Sequence, residues 1–213
     1  MDKLSLEEAM QMDESQSIPA PTAEMEAHFV ARTERHILLV QRYAARLAAY
    51  LRGYDPTLAD LLLRRVARHD ASKFAHPERT PYVWLTWRYR CQERGVPFAA
   101  PAGLDAAIQA ATERHILTND HHPEYWQLRR TALLNPTDRD APPAQIVDAT
   151  RMPPSRLAEM VADWCAVAEE RGNTPRAWAD RNVGVRWRFT PQQVDRIYEW
   201  SGRAWGPPPG AEL

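Results

Sequence analysis

Five times in this chain a side chain able to cap a helix stands directly before a proline, and three of these pairs, Asp55-Pro56, Thr174-Pro175 and Thr190-Pro191, read as helix starts. A capping oxygen satisfies one orphan N–H of the first turn, and proline at the first helical position gives up a donor that has no partner there. Gln193 follows Thr190 at the third position, which is the pattern of a capping box. Apolar stripes continue from these starts and between them. From about Glu24 to Arg52 the residues Leu39, Val40, Tyr43, Leu47, Tyr50 and Leu51 recur at helical spacing, and Leu58, Leu62 and Val66 do the same after Pro56. Further helices are predicted from Pro81 to about Arg94, from about Leu104, and from about Ser155 to Arg171, where Leu157, Met160, Val161, Trp164 and Ala168 form the stripe. No segment shows sustained apolar–polar alternation, so no strand is predicted. The fold class read from this pattern is all-α.

With 213 residues the chain is expected to form one domain over 23–204, preceded by a flexible polar arm over 1–22 and followed by a disordered, Pro-rich tail over 205–213. A short helix over Ser5–Met12 and an irregular stretch over 131–153 complete the reading. The 27 basic and 28 acidic residues nearly cancel, so no bulk attraction to nucleic acid or to a membrane surface is expected. Cys91 and Cys165 form no Cys-x-x-Cys pair and read as small core residues of a reducing, cytoplasmic protein. The N-terminus lacks the apolar run of a signal peptide, and no stretch approaches the length of a membrane span. Tyr82–Arg94 mixes aromatics with arginines, and the reading is rings packed inward with guanidinium groups outward, rather than a platform for stacked bases.

The residues that carry chemistry are histidines and aspartates. His69 and Asp70 are adjacent at the end of the second helix, and Lys73 follows three residues later. An imidazole beside a carboxylate is a compact pair of metal ligands, and an ammonium close by suits a phosphate. His36 opens the apolar stripe of the first helix. Asp163 lies at the stripe's edge on the late helix, with Glu159 one turn before it. Ligands drawn from several helices are how a bundle builds a metal site in its core. His115 and His122 are seven residues apart, which puts both rings on one site if the helix survives through Asp120. Pro123 limits that helix, and His121 competes for the place of His122, solvent exposure being its competing reading.

The order His … His-Asp … His … His … Asp resembles the HD-domain superfamily, and the local wording resembles one group of HD-like proteins of bacteria and phages. The matching stretches are His-Asp-x-Ser-Lys-Phe at 69–74, Asn-x-His-His-x-Glu-Tyr-Trp at 119–126 and Glu-Met-x-x-Asp-Trp at 159–164. The resemblance implies a single HD-like helical bundle with a metal site between helices. It implies His36, His69, Asp70 and Asp163 as ligands, with Asp70 central and able to bridge two ions. His115 and His122 match the extra histidines of two-metal members. One departure is Ser72, where the best-known pattern has glycine.

The function so implied is a metal-dependent phosphohydrolase acting on a nucleotide or other small phosphate ester through a metal-activated water. Asp70, Lys73 and Glu159 are the expected catalytic residues, and Lys73, His76 and Arg79 the expected contacts to substrate; Lys73 as a plain surface lysine is the competing reading. Glu159 reads equally as a carboxylate that orients a ligand imidazole. The cofactor is one or two divalent ions, and His/Asp sets of this kind accept Mn, Fe, Co, Ni or Zn. Two alternatives share the same residues: a diiron oxygenase of the same fold that uses O₂, and a non-catalytic module in which the metal only stabilises the fold.

Overall fold

A computed structural model describes residues 18–127 and 145–206. The helix expected over Ser5–Met12, residues 131–144 of the irregular stretch and residues 207–213 of the tail lie outside the described residues. Seven α-helices carry the described chain: α1 (Ala23–Leu51), α2 (Pro56–Val66), α3 (Arg79–Glu93), α4 (Leu104–Thr118), α5 (Pro154–Glu170), α6 (Pro175–Asn182) and α7 (Pro191–Trp205). Single 3₁₀ turns cover Ala71–Phe74 and Pro123–Trp126. The chain is all-α apart from β1 (Val147–Asp148) and β2 (Trp187–Arg188), a parallel pair in which Val147 faces Trp187 and Asp148 faces Arg188. Strands of two residues are too short to leave an alternating pattern, which is why the sequence did not announce them.

The helix starts follow the caps. Asp55 accepts from the Leu58 N–H at 2.9 Å, and Thr174 accepts from the Ala177 N–H at 3.1 Å. Thr190 and Gln193 close a reciprocal box, the Thr190 N–H donating to Gln193 Oε1 at 2.7 Å. Gln193 does more than cap. Its side-chain amide donates to the carbonyls of Ala149, Thr150 and Met152, which fastens the start of α7 to the segment after β1. No described helix is long and apolar enough to cross a membrane.

The described residues group into two compact units, one from residues 18–32 and 72–112, the other from 33–71, 113–127 and 145–206. In the first, Met25, Phe29, Tyr82, Val83, Leu85 and Ala111 form a small core. Residues 18–22, expected to belong to a loose arm, are tied down here: Trp84 Nε1 donates to the Pro19 carbonyl at 2.9 Å, and Thr22 Oγ1 accepts from the Met25 N–H at 3.3 Å. The aromatics of α3 pack with arginines laid over them, Arg90 at 4.6 Å from the Trp87 ring centre and Arg32 at 5.6 Å from Tyr89. Cys91 is buried in this unit.

The second unit has the larger core, and α5 is its axis. This helix packs against α2, α6 and α7. Ten of its residues are buried, and such a helix is apolar nearly all round. Cys165 is among them, in the role its sequence suggested, and burial pushes its thiol pKa up. Trp205, assigned by sequence to the tail, still belongs to α7 and stacks on Tyr43 at 5.5 Å. Against this apolar background the carboxylates Glu159 and Asp163 stand out, because a buried charge is costly unless it is paired and hydrogen-bonded.

Candidate metal centre

The second unit supplies every side chain of the candidate centre. After Val66 the chain leaves α2 through three turn hydrogen bonds, Arg68 N–H to the Arg65 carbonyl, His69 N–H to Val66 and Ala71 N–H to Arg68. Asp70 then adopts φ 58°, among the described residues the one non-glycine in the left-handed region. Aspartate visits that region more readily than most residues, since its short polar side chain can bond locally. The reversal buries both His69 and Asp70, at 3 % and 2 % exposure.

The two oxygens of Asp70 face different partners. Oδ2 lies 3.7 Å from His36 Nε2, while Oδ1 lies 3.0 Å from His115 Nε2 and 3.8 Å from the Nε2 atoms of both His69 and His121. Asp163 Oδ1 closes the first side, 3.1 Å from His36 Nε2 and 3.9 Å from His69 Nε2. Donor atoms of His36, His69 and Asp70 lie within 4.8 Å of one another, as do those of His69, His121 and Asp163, and those of His115, His121 and His122.

Behind the donors stand carboxylates that aim them. Glu159 Oε1 is 3.2 Å from His69 Nδ1, and Glu170 Oε2 is 3.2 Å from His36 Nδ1. A carboxylate on Nδ1 favours the proton there, which leaves Nε2 of His69 as its ligand atom; His36 has a carboxylate on each nitrogen, Glu170 on Nδ1 and Asp163 on Nε2. The Nε2 atoms of His69 and His121 are buried with no hydrogen bond. Buried polar atoms are otherwise almost always satisfied, and two imidazole nitrogens left open beside two carboxylates fit a cation.

Residues 25–200 match a family of unknown function, DUF5662. The chain belongs to that family. No curated protein and no solved structure matches it.

In this DUF5662 member the second histidine pair reaches the centre in a way its sequence did not fix. Helix α4 stops at Thr118 rather than continuing through Asp120. Asn119 closes it, its side-chain amide donating to the His115 carbonyl at 2.9 Å. His122 is extended (φ −88°, ψ 135°), as a residue before proline prefers. The turn is then pinned from both ends: Trp126 Nε1 donates to the Asp120 carbonyl at 3.0 Å, and buried Glu124 accepts from Trp187 Nε1 at 2.8 Å. His121 is buried, at 4 % exposure, and its Nδ1 lies 3.7 Å from Glu159 Oε1. Exposure, the competing reading of His121, is therefore not what the DUF5662 chain adopts. His122 packs its ring 4.2 Å from His121 and 5.0 Å from His115.

Charge follows the same geometry. For His36, burial opposes the charged form, but hydrogen bonds to Asp163 and Glu170 outweigh it and raise the pKa to about 10. His69 is also raised, its burial outweighed by Asp70 and Glu159. His121 goes the other way, down to about 3, because burial and the neighbouring charge of His69 both disfavour its cation. Burial pushes Asp163 up, yet His36 and His69 hold its carboxyl well below the usual range.

All six candidate ligands read from the sequence, His36, His69, Asp70, His115, His122 and Asp163, lie in this unit of the DUF5662 chain, together with Glu159 and His121. Lys73, His76 and Arg79 lie in the other. There Lys73 Nζ is 5.3 Å from the Tyr82 ring centre, His76 is exposed, and Arg79 donates to Glu26 Oε2 at 2.8 Å. Sequence reasoning missed Arg65, which donates through Nε to Glu159 Oε2 at 2.7 Å and also bonds Asp120. It missed Glu170 as well. Both pairings span about a hundred residues or more of chain, and no local spacing announces them.

Proposed function

We propose that this centre belongs to an HD-type phosphohydrolase that cleaves a small phosphate ester. The observation that carries the reading is the carboxylate of Asp70, with one oxygen turned to His36 and the other to His115, His69 and His121. A carboxylate used on both oxygens is suited to bridging two cations. His36, His69 and Asp163 would complete one position, and His115 with His121 or His122 the other. When bound, divalent ions in such a set supply hydroxide at neutral pH and polarise a phosphoryl oxygen.

The chain's own residues do the rest. With a metal bound, Glu159 and Glu170 would hold the proton of His69 and His36 on Nδ1, so that Nε2 faces the ion. Arg65 fixes Glu159 in turn, so the ring of His69 is braced through two charged hydrogen bonds. A cleft of about 320 Å³ bordered by His69, Asp70 and His121 gives a small substrate access. Lys73 is assigned the contact to the phosphate on the strength of its place in the His-Asp-x-Ser-Lys-Phe stretch.

The test is elemental analysis of protein purified without chelators or added metal, followed by a phosphate-release screen. About one or two exchangeable Mn, Co, Ni or Zn ions per chain with turnover of a phosphate ester support the reading. Absence of metal after reconstitution would sink it. The same convergence of donors on both sides of Asp70 favours one second reading, a diiron oxygenase. Two irons per chain with substrate-dependent O₂ uptake would select it.

A further inference from the structure

The cleft that opens onto His69, Asp70 and His121 is also lined by three arginines, Arg64, Arg65 and Arg68. They are not equivalent. Arg65 is tied to Glu159 and Asp120 and braces the centre from behind. Arg64, in the last turn of α2, and Arg68, in the turn after it, are exposed. Among the described residues, neither guanidinium makes a hydrogen bond or an ion pair.

Of the acids that share the cleft, Asp70 faces the histidines of the centre, and the other two are matched by arginines or by His69. Asp120 faces Arg65 and Arg156, and Glu159 faces Arg65 and His69. Cations near a helix C-terminus do complement its dipole. That role places no demand on direction around the axis, whereas both of these residues line the cleft bordered by His69, Asp70 and His121. Arginine forks suit phosphate oxygens in particular, since they offer parallel N–H donors that match the anion. A cleft of about 320 Å³ has room for a short anionic group, with the remainder of a substrate left in solvent.

We propose that Arg64 and Arg68 form an outer oxyanion subsite that makes the centre selective for a diphosphate group, one phosphoryl beside His69, Asp70 and His121 and the next on the guanidinium groups. The inference rests on the phosphohydrolase reading for the inner phosphoryl, and it adds the class of substrate. Monophosphate esters then bind through the inner position alone.

The experiment compares binding of inorganic phosphate, pyrophosphate and phosphonoacetate to the metal-loaded full chain by calorimetry, with metal content measured again after each titration. Wild type is expected to hold pyrophosphate at least about tenfold tighter than phosphate, a difference near 1.4 kcal/mol. The R64Q/R68Q variant is expected to lose that preference while keeping its phosphate affinity and its metal; R64Q and R68Q singly serve if the double variant folds poorly. An unchanged preference in these variants, or none in wild type, overturns the subsite. Equal, arginine-dependent binding of phosphonoacetate overturns the diphosphate assignment, because a carboxylate then serves as well. The two readings fail separately. A preference that depends on these arginines without turnover of any phosphate ester removes the hydrolase and leaves the subsite, and turnover without the preference does the reverse.

Discussion

Glu159 stands between Arg65 and His69, accepting from Arg65 Nε at 2.7 Å on one oxygen and meeting His69 Nδ1 at 3.2 Å on the other. The carboxylate is buried at 2 % exposure, so both contacts act in a medium that strengthens them. It fixes where the second nitrogen of His69 points, and that nitrogen lies between Asp70 and Asp163.

Glu159→Gln therefore weakens metal binding without removing a ligand. The expected loss is about 10–100-fold in affinity, the usual effect of removing a group that orients a ligand imidazole. Competition against a chromophoric chelator measures it. An unchanged affinity would reduce Glu159 to a partner of Arg65 only.

Asp70 carries a backbone demand and, in the proposed centre, a ligand demand as well. Asp70→Asn keeps a residue at ease with φ 58° but lacks the charge, whereas Asp70→Ala also strains the turn, by about 1–2 kcal/mol. Both variants are expected to lose metal, and the alanine variant to unfold at lower urea. Retained metal in either would remove Asp70 from the centre.

His121 belongs to two of the donor groups, His122 to one. His121→Ala is therefore expected to lower metal per chain more than His122→Ala does. Elemental analysis of the two purified variants decides, and the opposite order would make His122 the principal ligand of its turn.

Lys73 offers a separate check on the chemistry. Lys73→Ala is expected to keep the metal content of the wild type and to slow phosphate-ester turnover, because its ammonium is assigned to substrate and not to metal. Unchanged kinetics would return Lys73 to its contact with Tyr82.

Away from the centre, hydrogen bonds from Arg188 and Thr150 pull the pKa of Asp148 from 3.8 down to about 2. A depressed carboxylate lends stability above its ordinary pKa and withdraws it as pH falls through the depressed one. The gap in urea midpoint between wild type and Asp148→Asn is thus expected to hold steady from neutral pH to about 4 and to close by about 2. A gap that persists unchanged at about pH 2 would contradict the pairing with Arg188.

The helices were legible because their starts are local: Asp55, Thr174 and Thr190 announce themselves within four residues. So was the neighbourhood of His36, His69 and Asp163, since each continues an apolar stripe and must turn toward whatever that stripe covers. The identity of the histidine beyond α4 was not. Its position depends on a helix that ends at Thr118 and on Glu124 reaching Trp187, 63 residues away in sequence. Arg65 was silent for the same reason, because its partners Glu159 and Asp120 lie on distant parts of the chain. Local physics wrote the elements, and long-range pairing wrote the details of the site.

Two indoles are tied to this arrangement. Trp164 follows Asp163 in the chain, and it stacks at 5.2 Å and 26° on Trp187, whose N–H is held by Glu124 two residues past His122. The protein thereby carries its own optical probe. An ion that draws Asp163 and the His121–His122 turn together is expected to change the angle between the two rings, an event that near-ultraviolet circular dichroism would register without a label.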